Sequence, residues 1–321
     1  MIGPVKYFSG VWKEMARTAD RFPKVFIVVI NYNGHNDTIE CLESVKKLNY
    51  SNHEILIIDN GSTDGSGGIL KGTFPEITLI ETGRNLGFAG GSNAGIRRAL
   101  AEGAEFIVLL NNDTVVDQEF AGRLIEASKR DKGAGIFCSK MYFFDKPDVI
   151  WYAGGSFNPW LGWGRHRGGG IRDEGQFDRE EETARPCGCS LMVTREFCER
   201  VGLLDEDFFC YCEDVDWGMR AKRAGFKVLY VPDSKVWHKV SKSVEGAGNA
   251  ISIYYNVRNT LRCLEKNKPL PLPFRHMRYA AVLLTNFLAL FTMKIPKISG
   301  IRMIYKGLKD YFRGKFGMFA G

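Results

Sequence analysis

The sequence predicts an α/β fold: a mostly parallel sheet flanked by helices, followed by a basic, apolar helical tail. Three observations carry the prediction. Short apolar runs alternate with helical patterns four times between residues 25 and 129. Those runs lack the in-and-out alternation of a half-buried strand, as expected of parallel strands covered on both faces. Charge also changes abruptly near residue 267: residues 267–321 carry +9 of the chain's net +7, leaving −2 for everything before them.

Taken in order, residues 25–30 read as a buried strand ending in Asn31, Tyr32, Asn33 and Gly34, before a helical pattern over 38–48. Residues 54–59 give a second strand, ending on Asp59 and followed by Asn60, Gly61, Ser62, Thr63 and Asp64. A third, over 77–80, leads through Arg84, Asn85, Gly87, Gly90, Gly91 and Asn93 into a helix over 94–102. The fourth, over 106–110, delivers Asn111, Asn112 and Asp113 before a helix over 118–129. Such alternation implies right-handed crossovers and a parallel sheet.

Each of these strand ends carries short polar side chains. A single one is an ordinary turn or helix cap. Four on one edge make a cleft, because ligands of open α/β sheets collect at the carboxyl ends of the strands. Asp113 and Asn111 are hard oxygen donors suited to Mg²⁺ or Mn²⁺. Gly87, Gly90 and Gly91 would let the backbone approach a phosphate at a helix N-terminus. The glycine spacing is not G-x-G-x-x-G and no Walker A sequence is present, so a mononucleotide diphosphate is the expected ligand.

Beyond a further strand near residues 135–139 the pattern turns irregular. Residues 151–172 hold three tryptophans and seven glycines. Two readings stand: an insertion across the cleft mouth whose aromatic faces, Trp163 among them, suit a sugar ring or lipid headgroup, or a hairpin packing its own tryptophans. Residues 190–193 read as a returning strand. The second chemical centre follows. Asp205, Glu206 and Asp207 precede Phe208 and Phe209, and Glu213, Asp214 and Asp216 open a helix. Carboxylates suit a first helical turn, yet this is more acid than a cap requires, and one carboxylate at a cleft could serve as general base toward a hydroxyl. Strands at 228–231 and 236–238 close the body, the latter on His238, a candidate metal ligand. Cys187/Cys189 and Cys210/Cys212 form two C-x-C pairs; zinc sites favour wider spacing, so buried free thiols are expected.

The termini read differently. Apolar residues recur at spacings of three and four over residues 4–21, an amphipathic helix within a 1–23 segment. A helix over 251–264 carries Arg258, a candidate to face a diphosphate. Residues 279–293 are uncharged, mostly apolar and flanked by Arg and Lys; at fifteen residues they are short of the ~20 a span needs. With the basic 302–315 pattern they read as an in-plane membrane anchor, a buried core helix being the other reading. Nucleic acid is not expected, since the tail's leucines and aromatics cluster into apolar runs. Residues 1–6 lack the pattern of a secretory signal, so a cytoplasmic setting, peripheral on the inner face of the plasma membrane, is expected.

The ordered set Asn31-x-Asn33, Asp59-Asn60 through Asp64, Asn85-x-Gly87 through Asn93, Asn111-Asn112-Asp113, Phe208 through Glu213-Asp214-x-Asp216 and His238 resembles the family-2 glycosyltransferases, nearest a rhamnosyltransferase-like or galactofuranosyltransferase-like branch. The resemblance covers residues 24–243. It implies a GT-A fold, here taken over 24–266, while residues 267–321 by their own charge and apolar runs form the membrane-associating helical region. It implies an inverting, metal-dependent transfer of a rhamnose-like or other hexose from a nucleotide-diphosphate donor, a dTDP- or UDP-sugar. The acceptor would be a hydroxyl of a glycan or lipid-linked molecule, in cell-surface polysaccharide or glycolipid assembly. Asn31, Asn33, Asp59, Asn60, Asn85, Gly87, Asn93, Asn111 and Asn112 would hold the donor, Asp113 and His238 a Mg²⁺ or Mn²⁺ ion. Asp214 would be the catalytic base, and Glu213, Asp216 and Trp163 would face the acceptor. Asn111 stands where the family's metal motif has its first aspartate, which removes one negative charge there. Two rivals are a nucleotidyltransferase, which would carry a basic glycine-rich loop after its first strand where this chain has Asn31 to Gly34, and a non-catalytic nucleotide-sugar-binding protein.

Overall fold

The computed structural model describes residues 22–240, 248–291 and 295–321. The helix expected over residues 4–21 lies outside them, as does the end of the 279–293 stretch.

β1 (Val25–Asn31), α1 (His35–Val45), β2 (His53–Asp59), α2 (Ser66–Thr73), β3 (Thr78–Glu81), α3 (Gly87–Ala101) and β4 (Phe106–Asn111) follow one another along the chain. Their strands form a parallel half-sheet in the order β3-β2-β1-β4. β1 is buried along its whole length, and its central positions have apolar neighbours on both sides, Val28 lying between Leu56 and Leu109. That is why its sequence is apolar without alternation. The register sets Asn31 level with Asp59, and Ile30 level with Asn111. The polar strand ends therefore share one edge.

The second half is mixed. It comprises β5 (Thr114–Val116), α4 (Phe120–Arg130), β6 (Ala134–Phe143), β7 (Lys146–Tyr152), β8 (Gly155–Asn158), β9 (Trp163–His166), β10 (Glu181–Glu182), β11 (Ser190–Thr194), α5 (Arg195–Val201), α6 (Glu213–Arg223) and β12 (Lys227–His238). β11 runs antiparallel between β4 and β6, so its N-terminal end meets the carboxyl end of β4. The two extended pieces expected at 228–231 and 236–238 are a single strand, β12, irregular where its register on β6 shifts between Val231 and Lys235.

The tryptophan- and glycine-rich insertion contains a separate hairpin, β8 on β9. Its surroundings are tied to the sheet by Lys140 of β6. This wholly buried ammonium donates to Asp173 (2.7 Å) and Asp178 (2.5 Å), and the Tyr142 hydroxyl also donates to Asp173. A buried cation persists only when paired in this way.

α7 (Gly248–Asn267), α8 (Leu272–Ala289) and α9 (Lys297–Phe312) close the chain around a second core that includes Val257, Leu261, Leu264 and Val282. α7 and α9 touch at Gly307, where a Cβ would sit 2.7 Å from the Tyr254 carbonyl oxygen. No helix among the described residues is long and apolar enough to cross a membrane.

Candidate active site

At the carboxyl edge of β1 and β2, Asn31 donates to Asp59 Oδ1 (2.8 Å) and to the Ser62 hydroxyl, and Ser62 in turn donates to the same carboxylate oxygen. Thr38 of α1 donates to Asn31 Oδ1, and Asn112 donates to Thr38 Oγ1 (3.0 Å). Asn33, at φ +52°, joins the same network: its backbone N–H donates to the Ser62 hydroxyl and its side-chain oxygen accepts from the Thr63 N–H. Buried polar groups have to be satisfied. Here they satisfy one another, which locks Asp59 and the 31–34 loop into one rim. Asn111, half-buried, stands at the end of β4 beside it.

Five expected site residues, Asn60, Asn85, Gly87, Asn93 and Asp216, also make contacts that hold the frame. The glycine-rich stretch is already helical from Gly87, and its N-terminus is covered. Ala89 N–H donates to the Phe209 carbonyl, and a Cβ on Gly87 would fall 2.3 Å from that same oxygen. Gly87 is therefore glycine because the Phe209 loop lies against it at φ +72°, and not to admit a phosphate. Asn60 spends its amide on the Gly87 carbonyl and Asn85, and its oxygen accepts from Leu86 N–H. Asn85 Oδ1 accepts from Gly87 N–H. Buried Asn93 bonds Leu204 at both backbone N–H and carbonyl, and also Glu206. Asp216, wholly buried, faces Arg220, Lys266 and Asn267 instead of a cleft.

Asp113 and His238 meet because β12 pairs with β5, setting His238 level with Thr114, while Lys239 N–H donates to the Asp113 carbonyl. His238 Nε2 lies 3.2 Å from Asp113 Oδ1. Trp151 packs its ring edge-on against both His238 and His166. Burial, and then the charge of Arg185, hold His166 down to about 4. No third His, Cys, Asp or Glu joins the pair among the described residues. One carboxylate and one imidazole fit a divalent ion that takes its remaining ligands from substrate phosphates and water.

The acidic segment divides in two. Asp205 and Asp207 pair with Arg262, Asp205 also with Lys266, and Glu206 pairs with Arg97. The surplus acid thus fastens α3 and α7 to the loop. That loop, 209–212, carries three non-glycine residues at positive φ: Phe209 (64°), Tyr211 (69°) and Cys212 (70°). Each such residue costs roughly 1–3 kcal/mol, a cost that surrounding structure must offset. Asn259 of α7 offsets it here, donating its amide to the carbonyls of Phe208, Cys210 and Tyr211 at 2.8–2.9 Å. Arg258 was a candidate for the diphosphate. It is wholly buried and bonds the carbonyls of Phe208 and Gly317.

The strained loop delivers Glu213 and Asp214 to the start of α6. Asp214 Oδ2 accepts from Gly188 N–H (3.1 Å) and Oδ1 from Val215 N–H (2.7 Å). The next residue after Gly188, Cys189, accepts from Asn111 N–H through its carbonyl. A single turn therefore links Asp214 to the strand end that carries Asn111 and Asp113. Asp214, Glu213, Arg185, Trp163, Tyr211 and Asn256 line a cavity of about 340 Å³ between the β8–β9 hairpin and helices α7 and α8. Glu213 is buried and its Oε2 has no hydrogen-bond partner among the described residues. Desolvation, reinforced by the negative charge of Asp214, pushes its carboxyl up to about 8. The insertion combines both earlier readings: it is a hairpin, and Trp163 on it is 56 % exposed at the cavity mouth. All eight cysteines are free. Arg185, Asn256 and Asn259 have no sequence signal that separates them from their neighbours, the last two lying on a helix with many other polar residues.

A polar rim at the edge of a parallel half-sheet, joined to an acidic cavity under a second, mixed half, has the architecture of a nucleotide-diphospho-sugar transferase of the GT-A type. The chain belongs to glycosyl transferase family 2, whose model matches residues 26–202. It is 29 % identical over 287 residues to the dTDP-rhamnosyl transferase RfbF of Shigella flexneri, covering 84 % of this chain and 90 % of that protein. It is 28 % identical over 242 residues to the N-acetylglucosaminyl-diphospho-decaprenol L-rhamnosyltransferase of Mycobacterium tuberculosis, covering 68 % and 76 %. Among solved structures, a mannosyltransferase from Pyrobaculum calidifontis in complex with GDP-Man and Mn²⁺ superposes with a TM-score of 0.58 at 15 % identity, covering 92 % of this chain and 89 % of that one. This last likeness is one of fold.

Proposed function

We propose that this glycosyltransferase moves a rhamnose-like hexose from a dTDP- or UDP-linked donor to a hydroxyl of a glycan or lipid-linked acceptor, with inversion. The observation that carries the reading is the placement of Asp214: fixed by the Gly188 N–H, in the cavity wall, one turn away from the strand end bearing Asp113. The names of the two rhamnosyltransferase relatives support the choice of sugar and a lipid-linked acceptor.

In this reading the rim of Asn31, Asn33, Asp59 and Asn112 holds the nucleoside, with Asn111 next to it, and Trp163 and Glu213 border the acceptor. Asp214 takes the proton of the acceptor hydroxyl as that oxygen bonds the sugar's anomeric carbon. The bond from that carbon to the diphosphate oxygen breaks, and the nucleoside diphosphate leaves with the electron pair. Asp113 and His238 would hold a Mg²⁺ or Mn²⁺ ion, which when bound supplies Lewis-acid stabilisation of the departing diphosphate's charge.

Residues 24–266 form the transferase unit and 267–321 a membrane-facing one in this reading. Met277, Leu284, Phe287, Leu288 and Phe291 form an exposed apolar stripe along α8 and its C-terminal end, and Ile298, Ile301, Tyr305 and Phe312 form another along α9. The +9 charge of residues 267–321 suits an anionic bilayer surface. Peripheral attachment to the cytoplasmic face follows.

The test is Asp214→Asn, assayed with a panel of nucleotide sugars with and without Mn²⁺ or Mg²⁺. Transfer should be lost while nucleoside diphosphate still raises the melting temperature. Full turnover by that variant would remove Asp214 from the chemistry.

A further inference from the structure

Arg185 is the one guanidinium in the wall of the Asp214 cavity, and no hydrogen bond or ion pair of its side chain is found among the described residues. Its Nε is buried. Other arginines near the site are spent on protein groups: Arg220 on Asp216, Arg262 on Asp205 and Asp207, and Arg258 on carbonyls. Leaving a buried donor such as this Nε unsatisfied costs free energy, and it is tolerated where a ligand completes the set.

The side chain is also held rather than loose. β8 and β9 cross it at two glycines. A Cβ on Gly164 would lie 2.8 Å from Arg185 Nη1 and 3.0 Å from its Cζ, and one on Gly155 would lie 3.2 Å from its Cβ. The guanidinium therefore lies against the bare backbone of Gly164, with its position set before any ligand arrives. Two residues along the chain from Arg185 is Cys187, and then Gly188, the residue that orients Asp214. Its charge also reaches His166, which packs on Trp151, as His238 does.

We propose that Arg185 is the phosphate-binding group of this cavity, holding a substrate phosphate beside Asp214. A planar guanidinium presents paired N–H donors that match two phosphate oxygens, and it does so more selectively than a lysine ammonium. Two sources carry that chemistry here. One is the diphosphate of the nucleotide donor; the other is a phosphate or diphosphate linking the acceptor sugar to a lipid, which would leave along α8. The proposal rests on the transferase reading of the cavity, and its test is separable from that reading.

Octyl phosphate and the nucleoside diphosphate would each be titrated by calorimetry against wild type, Arg185→Gln, Arg185→Lys and Asp214→Asn. Arg185→Gln should weaken at least one ligand by about tenfold or more, as loss of a charged hydrogen-bond pair implies, with Arg185→Lys intermediate. Weaker octyl phosphate alone assigns the acceptor's phosphate, and weaker nucleoside diphosphate alone assigns the donor's. Asp214→Asn should bind both ligands as wild type does while losing transfer; retained transfer would sink the base assignment and leave the arginine result standing. Should Arg185→Gln fail to fold, Gly164→Ala, which displaces the same guanidinium, serves in its place. Binding of both ligands unchanged in a folded variant overturns the proposal.

Discussion

Asn259 donates its side-chain amide to the carbonyl of Tyr211, 2.9 Å away, and the same amide reaches the carbonyls of Phe208 and Cys210. An asparagine on a helix of the C-terminal region thereby holds three positive-φ residues in the conformation that presents Asp214.

Asn259→Ala should leave the Cys210 and Tyr211 carbonyls without their side-chain donor and the loop free to relax, the Phe208 carbonyl keeping Arg258. A cost of about 1–3 kcal/mol is expected for orphaned buried groups, read as a lower denaturation midpoint. The more telling result is kinetic. A positioning role predicts that kcat falls about tenfold or more while the donor KM changes little, because the rim of Asn31 and Asp59 is untouched. A variant that loses stability and keeps kcat would show that the loop keeps its shape unaided.

Gly87 answers to the same loop from the opposite side. Gly87→Ala would drive a methyl group into the Phe209 carbonyl and ring at a backbone angle alanine resists. Overpacking of this kind costs about 1–3 kcal/mol, and the left-handed conformation roughly 1–2 more. Gly103→Ala is the control: its φ is +84° but nothing lies within 4 Å of the added atom. It should show the backbone cost alone. Equal losses of melting temperature in the two variants would mean that Phe209 yields freely.

These two residues also mark where sequence reasoning ran out. Strands β1 and β4 were legible because a strand covered on both faces must be apolar throughout, and their polar ends were legible because nothing apolar interrupts them. The start of α3 was not. Glycine is a poor helix former, so residues 87–93 read as a loop, whereas contacts with Phe209, Leu86 and Asn60 leave no room for side chains at 87, 90 and 91. Asp214 stood out as a carboxylate at a helix start. Its neighbours Asp205 and Asp207 looked equally chemical, since their partners Arg262 and Lys266 lie some fifty residues onward. Arg185 has no local signature at all; what distinguishes it is the lack of a side-chain partner among the described residues, which only three dimensions reveal.

Glu213 makes the fold sensitive to pH. Its carboxyl is ordinary, at 4.5, when exposed, and is raised to about 8 by burial and by Asp214. Between those values the unfolded chain releases this proton and the native protein keeps it, so the group's effect on stability declines as pH rises through that window. Glu213→Gln removes the titration and keeps a neutral side chain of the same shape. The melting temperature of the variant minus that of wild type should therefore become more positive from about pH 5 to about pH 8. A difference that is flat with pH would mean Glu213 ionises normally in the folded protein.

The apolar stripe of α8 gives the last expectation. Leu288 is 55 % exposed and Phe291 67 %, so neither holds the fold together. Inserting each into the headgroup region would contribute about 1.5–3 kcal/mol if burial were complete, added to attraction between the basic helices and anionic lipid. The double variant Leu288→Glu, Phe291→Glu forfeits both terms, since it also sets two negative charges against the surface. Wild type should co-sediment with phosphatidylglycerol-containing vesicles and be partly released by salt, because screening weakens the electrostatic share. The double variant should stay in the supernatant, keep its melting temperature and still transfer sugar to a water-soluble acceptor. Undiminished vesicle binding by that variant would move the membrane contact elsewhere on the molecule.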